Sequence, residues 1–124
     1  MTLRQKQALF WRLLADLTLW VFAKPGYELT PGEGRIGATR IAEDTHGQRV
    51  VVTDRVHMPG SLHYLGLAQD LNLFIDGRWI NDGGAPQWTE IGVKWESLHP
   101  LCRWGGRFAS VDSNHFSLEH EGKA

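Results

Sequence analysis

The chain has 124 residues, with 13 Lys and Arg against 14 Asp and Glu and a formal net charge of −1. That length corresponds to one ordinary domain, residues 1–124, able to bury about two thirds of the surface its unfolded form exposes. The balanced charge, with no run of Lys or Arg, excludes an affinity built on phosphate neutralisation or a polybasic patch, so no nucleic-acid partner is expected. A single cysteine, Cys102, excludes an internal disulfide framework and a cysteine-rich zinc knuckle, which leaves His and carboxylate groups as the available metal ligands. Six tryptophans and 14 glycines point to large aromatic anchors joined by many tight turns.

The N-terminal stretch MTLRQKQALFWRLLADLTLWVFAKPG imitates a signal peptide by placing Arg4 and Lys6 before apolar residues. Arg12 and Asp16 interrupt the apolar run, however, and it is too short for a membrane span and lacks a small-residue cleavage site. Leu3, Phe10, Leu13, Leu14, Leu17, Trp20 and Val21 recur at three- and four-residue spacing, which predicts a core-facing helix of about five turns ending before Pro25-Gly26. The glycine-broken stretch from Tyr27 to Asp54 reads as a loop-rich excursion with short strands, Val50–Thr53 being the clearest. Leu71–Ile75, Asp76-Gly77 and Arg78–Ile80 predict a hairpin with a type I′ turn, with Leu71, Leu73 and Ile75 on one face and Asp70, Asn72 and Phe74 on the other. After Pro86, the residues Trp88, Ile91, Trp95 and Leu98 fall at helical spacing until Pro100. Strands through Trp104 and from His115 to about Glu119 close the chain, which gives an α+β fold with a small antiparallel sheet.

SLHYLGLAQD, residues 61–70, carries a histidine and an aspartate on either side of Gly66 and Ala68. A bend there lets His63 and the strand-entrance Asp70 converge. In DSNH, residues 112–115, a carboxylate precedes a histidine by three positions at a loop-to-strand junction, so both groups can surround one point. Two histidines and one carboxylate form an established catalytic zinc set, leaving a fourth position for water, and His63, Asp70 and His115 supply it. Asp112 then remains as a non-ligating carboxylate suited to general-base work. Charge developing on a carbonyl oxygen calls for a cation, and Arg35 and Arg55 are the upstream candidates.

SLHYLGLAQDLNLF together with DSNHFSLEH resembles the zinc peptidases of family M15. These include D-alanyl-D-alanine carboxypeptidases and dipeptidases, and phage endolysins of the L-alanyl-D-glutamate endopeptidase type. PGYELTPGEGR, DLNLFIDG and RWGGRF also resemble the short phage-encoded members. The resemblance implies a Hedgehog/D-Ala-D-Ala peptidase-like α+β fold, with an antiparallel sheet flanked by helices and one Zn2+ held by His63, Asp70 and His115. It implies hydrolysis of peptidoglycan stem peptides with Asp112 as base. An arginine after an early strand, Arg35 with Arg55 as the alternative, would bind the substrate. It further implies a phage or prophage lysis enzyme that accumulates in the cytoplasm without a signal peptide and reaches the wall through a holin-type permeabilising partner.

Taken singly, these residues have plain structural readings: His63 as a hydrogen-bonded surface histidine, Asp70 as a strand-start residue and Asp112 as an Asx-turn former. Ser61 reads equally as a turn residue and as a hydrogen-bonding neighbour of the site. His120 reads as an orienting partner of a ligand or as a solvent-facing residue. Trp88, Trp95 and Trp104 read as core or cleft walls, and Cys102 as a small buried residue. Three functions remain in view: a stem-peptide endopeptidase, a D-Ala-D-Ala carboxypeptidase or dipeptidase, and a non-catalytic wall-binding or virion domain with a structural metal.

Overall fold

A computed structural model of the chain describes residues 1–32, 39–43, 46, 49–53 and 61–124, with backbone only for the strands at 39–43 and 49–53. Helix α1 spans Leu3–Phe22. Thr2 caps its N-terminus through a reciprocal pair with Gln5, which satisfies two donors that the first turn would otherwise strand. Its buried face is Phe10, Leu13, Leu14, Leu17 and Val21, which is the expected stripe without its ends: Leu3 is exposed and Trp20 half-buried.

Strand β1 (Tyr27–Pro31) follows, then β2 (Thr39–Glu43) and β3 (Arg49–Thr53), which pair with each other as a separate antiparallel hairpin. Next come β4 (Ala68–Ile75) and β5 (Arg78–Trp79). Their turn places Asp76 at φ 51° and Gly77 at φ 78°, the positive pair a type I′ turn requires. Helix α2 (Pro86–Leu98) starts on its proline, where the missing N–H costs no hydrogen bond. Strands β6 (Cys102–Trp104) and β7 (His115–Leu118) enclose a single 3-10 turn at Gly105–Arg107.

The main sheet runs in the order β1-β4-β7-β6, with β5 also on β4, and its pairings are antiparallel. The fold is therefore the expected α+β arrangement. Two details differ from expectation. Strand β4 begins at Ala68, so Ala68 belongs to the strand rather than to the bend, and Asp70 is its third residue rather than its entrance. The segment Tyr27–Pro31 is a full partner of β4, with Leu29 opposite Leu73, and its half-buried Tyr27 and Leu29 alternate with the exposed Glu28 and Thr30. Backbone pairing along the whole edge holds it, and Pro31 ends it.

Alternation gives the central strands two unlike faces. Leu71, Leu73, Phe116 and Leu118 face the helices, where Trp95 of α2 stands edge-on to Phe10 of α1 at 5.8 Å and to Phe116 at 6.1 Å. The buried Trp95 indole N–H donates to the carbonyls of Arg103 and Ser117, which ties α2 across β6 and β7. Trp88 and Trp95 are thus core residues. The other face carries Asp70, His115 and Ser117, all buried.

Candidate metal centre

The three metal-ligand candidates reach one point by two routes. Asp70 and His115 come together through strand register: they are directly opposite one another in the β4–β7 ladder. Directly paired antiparallel residues hold their Cβ atoms about 4.5–5.5 Å apart on the same face. The pairing continues past the strand end, where Leu71 N–H donates to the Asn114 carbonyl at 2.9 Å.

His63 arrives on a turn over residues 61–66. Tyr64, Leu65 and Gly66 donate back to the carbonyls of Ser61, Leu62 and His63, and Leu67 closes on Leu62 at 2.9 Å. Gly66 sits at φ +70°, the left-handed conformation that lets the chain reverse into β4. Leu62 and Leu67 are buried in the core on either side, and the Gln7 amide of α1 donates to the Leu65 carbonyl at 2.7 Å. Ser61 Oγ accepts from the His63 backbone N–H at 3.3 Å, so it shapes the turn that presents the imidazole.

The result is a triangle of donor atoms. His63 Nε2 lies 3.1 Å from His115 Nδ1, His63 Nε2 lies 3.5 Å from Asp70 Oδ1, and His115 Nδ1 lies 3.4 Å from Asp70 Oδ1. Zinc bonds to N and O of about 2.0–2.2 Å imply tetrahedral edges of about 3.3–3.6 Å. The three separations therefore suit one face of a zinc tetrahedron, and the His-Asp-His group could hold a metal ion. The side chains are 12 %, 6 % and 7 % exposed for His63, Asp70 and His115, which shields the triangle from bulk solvent.

The His115 ring is held by packing. It lies 5.0 Å from the His63 ring and 5.3 Å from Phe108, and its Nε2 is buried with no hydrogen-bond partner among the described residues. Gly105 closes this arrangement from below. A Cβ there would sit 2.1 Å from the Asp112 carbonyl oxygen and 2.8 Å from His115 Cβ, and the Gly105 carbonyl accepts from Asp112 N–H at 2.9 Å. The loop is further tied by the Trp104 indole, which donates to the Ser113 carbonyl at 2.7 Å, and by Ser113 Oγ, which donates to the Gly83 carbonyl.

Asp112 stands apart from the triangle. Its Oδ2 is 3.9 Å from His115 Nδ1, too long for a hydrogen bond, and its side chain is 52 % exposed. His120 turns elsewhere: beyond the far end of β7, its Nδ1 lies 3.1 Å from Lys6 Nζ and its Nε2 3.8 Å from Glu121. The sequence-level suggestion that it orients a ligand therefore finds no contact among the described residues. Arg35 and Arg55 lie outside the described residues. Cys102 is buried and its thiol is pushed up to about 12 by burial, so it is no nucleophile at neutral pH. Gln7 carries no motif in the sequence, and Gly105 and Phe108 stand in RWGGRF, a stretch that the resemblance covers without assigning either residue a part in the site.

A cavity of about 350 Å³ opens beside this loop, walled by Asn72, Trp79, Asn81 and Asn114. None of the three donors lines it. Among the described residues, no helix is long and apolar enough to cross a membrane.

A buried His-Asp-His triangle on the face of an antiparallel sheet turned away from α1 and α2, with a separate carboxylate at its edge, defines a candidate metallohydrolase site. The family model described as D-alanyl-D-alanine carboxypeptidase matches residues 55–118, slightly more than half of the chain, and spans the turn, β4 and β7. The chain belongs to this family, the M15 peptidases. No curated protein matches it.

Proposed function

We propose that the chain is a zinc-dependent peptidase that hydrolyses a peptide bond in the stem peptides of peptidoglycan. His63, Asp70 and His115 would hold the ion and Asp112 would move the proton. The observation that supports this most is the donor triangle of 3.1–3.5 Å edges in an M15 chain. When bound, zinc polarises a carbonyl and lowers the pKa of water to about 7.

General-base and general-acid work falls in this proposal to Asp112. It is close to the triangle without belonging to it, and its exposure leaves it open to substrate. It takes a proton from the attacking water and returns it to the leaving amine. Asp70 and His115 cannot serve this role, because each is buried and turned to the other across the strand pair. Ser61 acts on the reaction through the His63 turn. Steadying of the substrate belongs in this proposal to Arg35 or Arg55.

The scissile bond is proposed to be L-alanyl-D-glutamate, as in the short phage enzymes that SLHYLGLAQD and DSNH resemble. The setting would be a lysis role, with a holin-type partner opening the way from the cytoplasm to the wall. The family description favours a second reading, release of terminal D-alanine as a carboxypeptidase.

Mass spectrometry of purified muropeptides digested with the zinc-loaded protein tests both. New L-alanine C-termini and D-glutamate N-termini support the endopeptidase, and loss of D-alanine alone moves the assignment to the carboxypeptidase. Intact muropeptides after incubation with folded, zinc-loaded protein would overturn both readings.

A further inference from the structure

Opposite its buried stripe, α1 carries a second apolar line. Trp11 is 67 % exposed, Leu19 is 73 % exposed and Phe22 is 48 % exposed, and the exposed Ala8 and Ala15 fall between them. Residues 8, 11, 15, 19 and 22 step by three or four, so they share one face along the helix. Arg12 and Asp16 are both exposed and flank this line on the same side. Neither forms an ion pair among the described residues. An Arg four positions before an Asp is also the weaker orientation for pairing within one helix.

The arrangement is complementary to itself. If two copies of α1 lie antiparallel about a twofold axis at Ala15, residue 15 plus n meets residue 15 minus n. Trp11 then lies level with Leu19 of the second copy, the large Phe22 meets the small Ala8, and Ala15 at the crossing lets the helices approach closely. A twofold of this kind brings like flanks together. Arg12 then comes within about 3 Å along the axis of the second copy's Asp16, and the reverse pair forms by symmetry.

We propose that the outer face of α1 is a homodimer interface centred on Ala15 and closed by two reciprocal Arg12–Asp16 ion pairs. The occupant is a second copy rather than an anionic membrane surface, because a membrane-lying helix favours cations on both flanks and Asp16 sits at the middle of this one. A single helix pair is at the small end of specific interfaces, so the association is concentration-dependent. The proposal is independent of the peptidase reading, since the face lies away from the sheet.

Sedimentation velocity over a concentration series reads the result. The wild-type chain of 14.0 kDa should move toward twice that mass as concentration rises. Arg12→Asp and Asp16→Arg, each with unchanged circular dichroism, should weaken association by about tenfold or more through facing like charges. The double exchange R12D/D16R should restore it, because the reciprocal pairs are rebuilt with signs reversed. A chain that stays monomeric throughout, single variants that dimerise as wild type, or a double variant that fails to recover would overturn the proposal. So would a monomer that co-sediments with vesicles of phosphatidylglycerol, which would make the membrane the occupant.

Discussion

The two faces of the β4–β7 pair are built from alternate residues of the same strands, and they answer to different physics. On the helix side, Leu71, Leu73, Phe116 and Leu118 are held by burial against α1 and α2, where each side chain is worth about 1.5–3 kcal/mol removed from water. On the opposite side, Asp70 and His115 are buried polar groups whose burial costs free energy unless something satisfies them. The apolar face therefore fixes the register that the polar face needs. A slip by one residue would turn the ligands into the core and the leucines outward, so the core enforces the site.

The largest test of this division is a deletion on the apolar face. Phe116→Ala should cost about 3–5 kcal/mol in thermal or urea unfolding and remove metal binding with the fold. A Phe116→Ala protein that keeps full stability would break the account of how register is set. On the polar face, Asp112→Asn should keep metal affinity and the unfolding midpoint while hydrolysis of muropeptides falls about 10²–10⁴-fold. Wild-type turnover would remove Asp112 from its role.

Gly105→Ala sharpens the boundary between the faces. Its Cβ would collide with the Asp112 carbonyl and His115 Cβ, so metal affinity should drop well before α1 and α2 unfold, as followed by calorimetric titration and circular dichroism. Ser61→Ala is smaller: loss of one hydrogen bond into the His63 turn should cost about 0.5–1.5 kcal/mol and loosen the metal site modestly.

The smallest expected effect comes from Cys102, on the core side. Its folded value of about 12 lies above the ordinary 9.0, so the folded chain keeps a proton that the unfolded chain sheds. Its contribution is complete below pH 9 and declines as pH rises from there toward 12. Alkylation of the native protein at pH 8 should accordingly be negligible and become fast on unfolding.

Much of this was legible in the residues themselves. The apolar spacing of Phe10 to Val21 and of Trp88 to Trp95, and the Asp76-Gly77 turn, are local signals, and local physics decides those elements. His63, Asp70 and His115 could be grouped because their chemistry makes a coherent ligand set. What lay beyond reach was non-local. Tyr27–Pro31 is a strand because β4 lies beside it, and Ala68 joins β4 because Ser117 stands opposite. The register that sets Asp70 against His115 joins residues far apart in the chain. Gln7 and Gly105 matter only through what touches them.

The central claim is that the polar face is a metal site, and zinc titration of chelator-treated protein by calorimetry tests it most directly. One ion per chain should bind, and His63→Ala, Asp70→Ala and His115→Ala should each abolish binding while circular dichroism stays unchanged. Absence of zinc binding by the folded wild-type chain, or equal binding by all three variants, would contradict it.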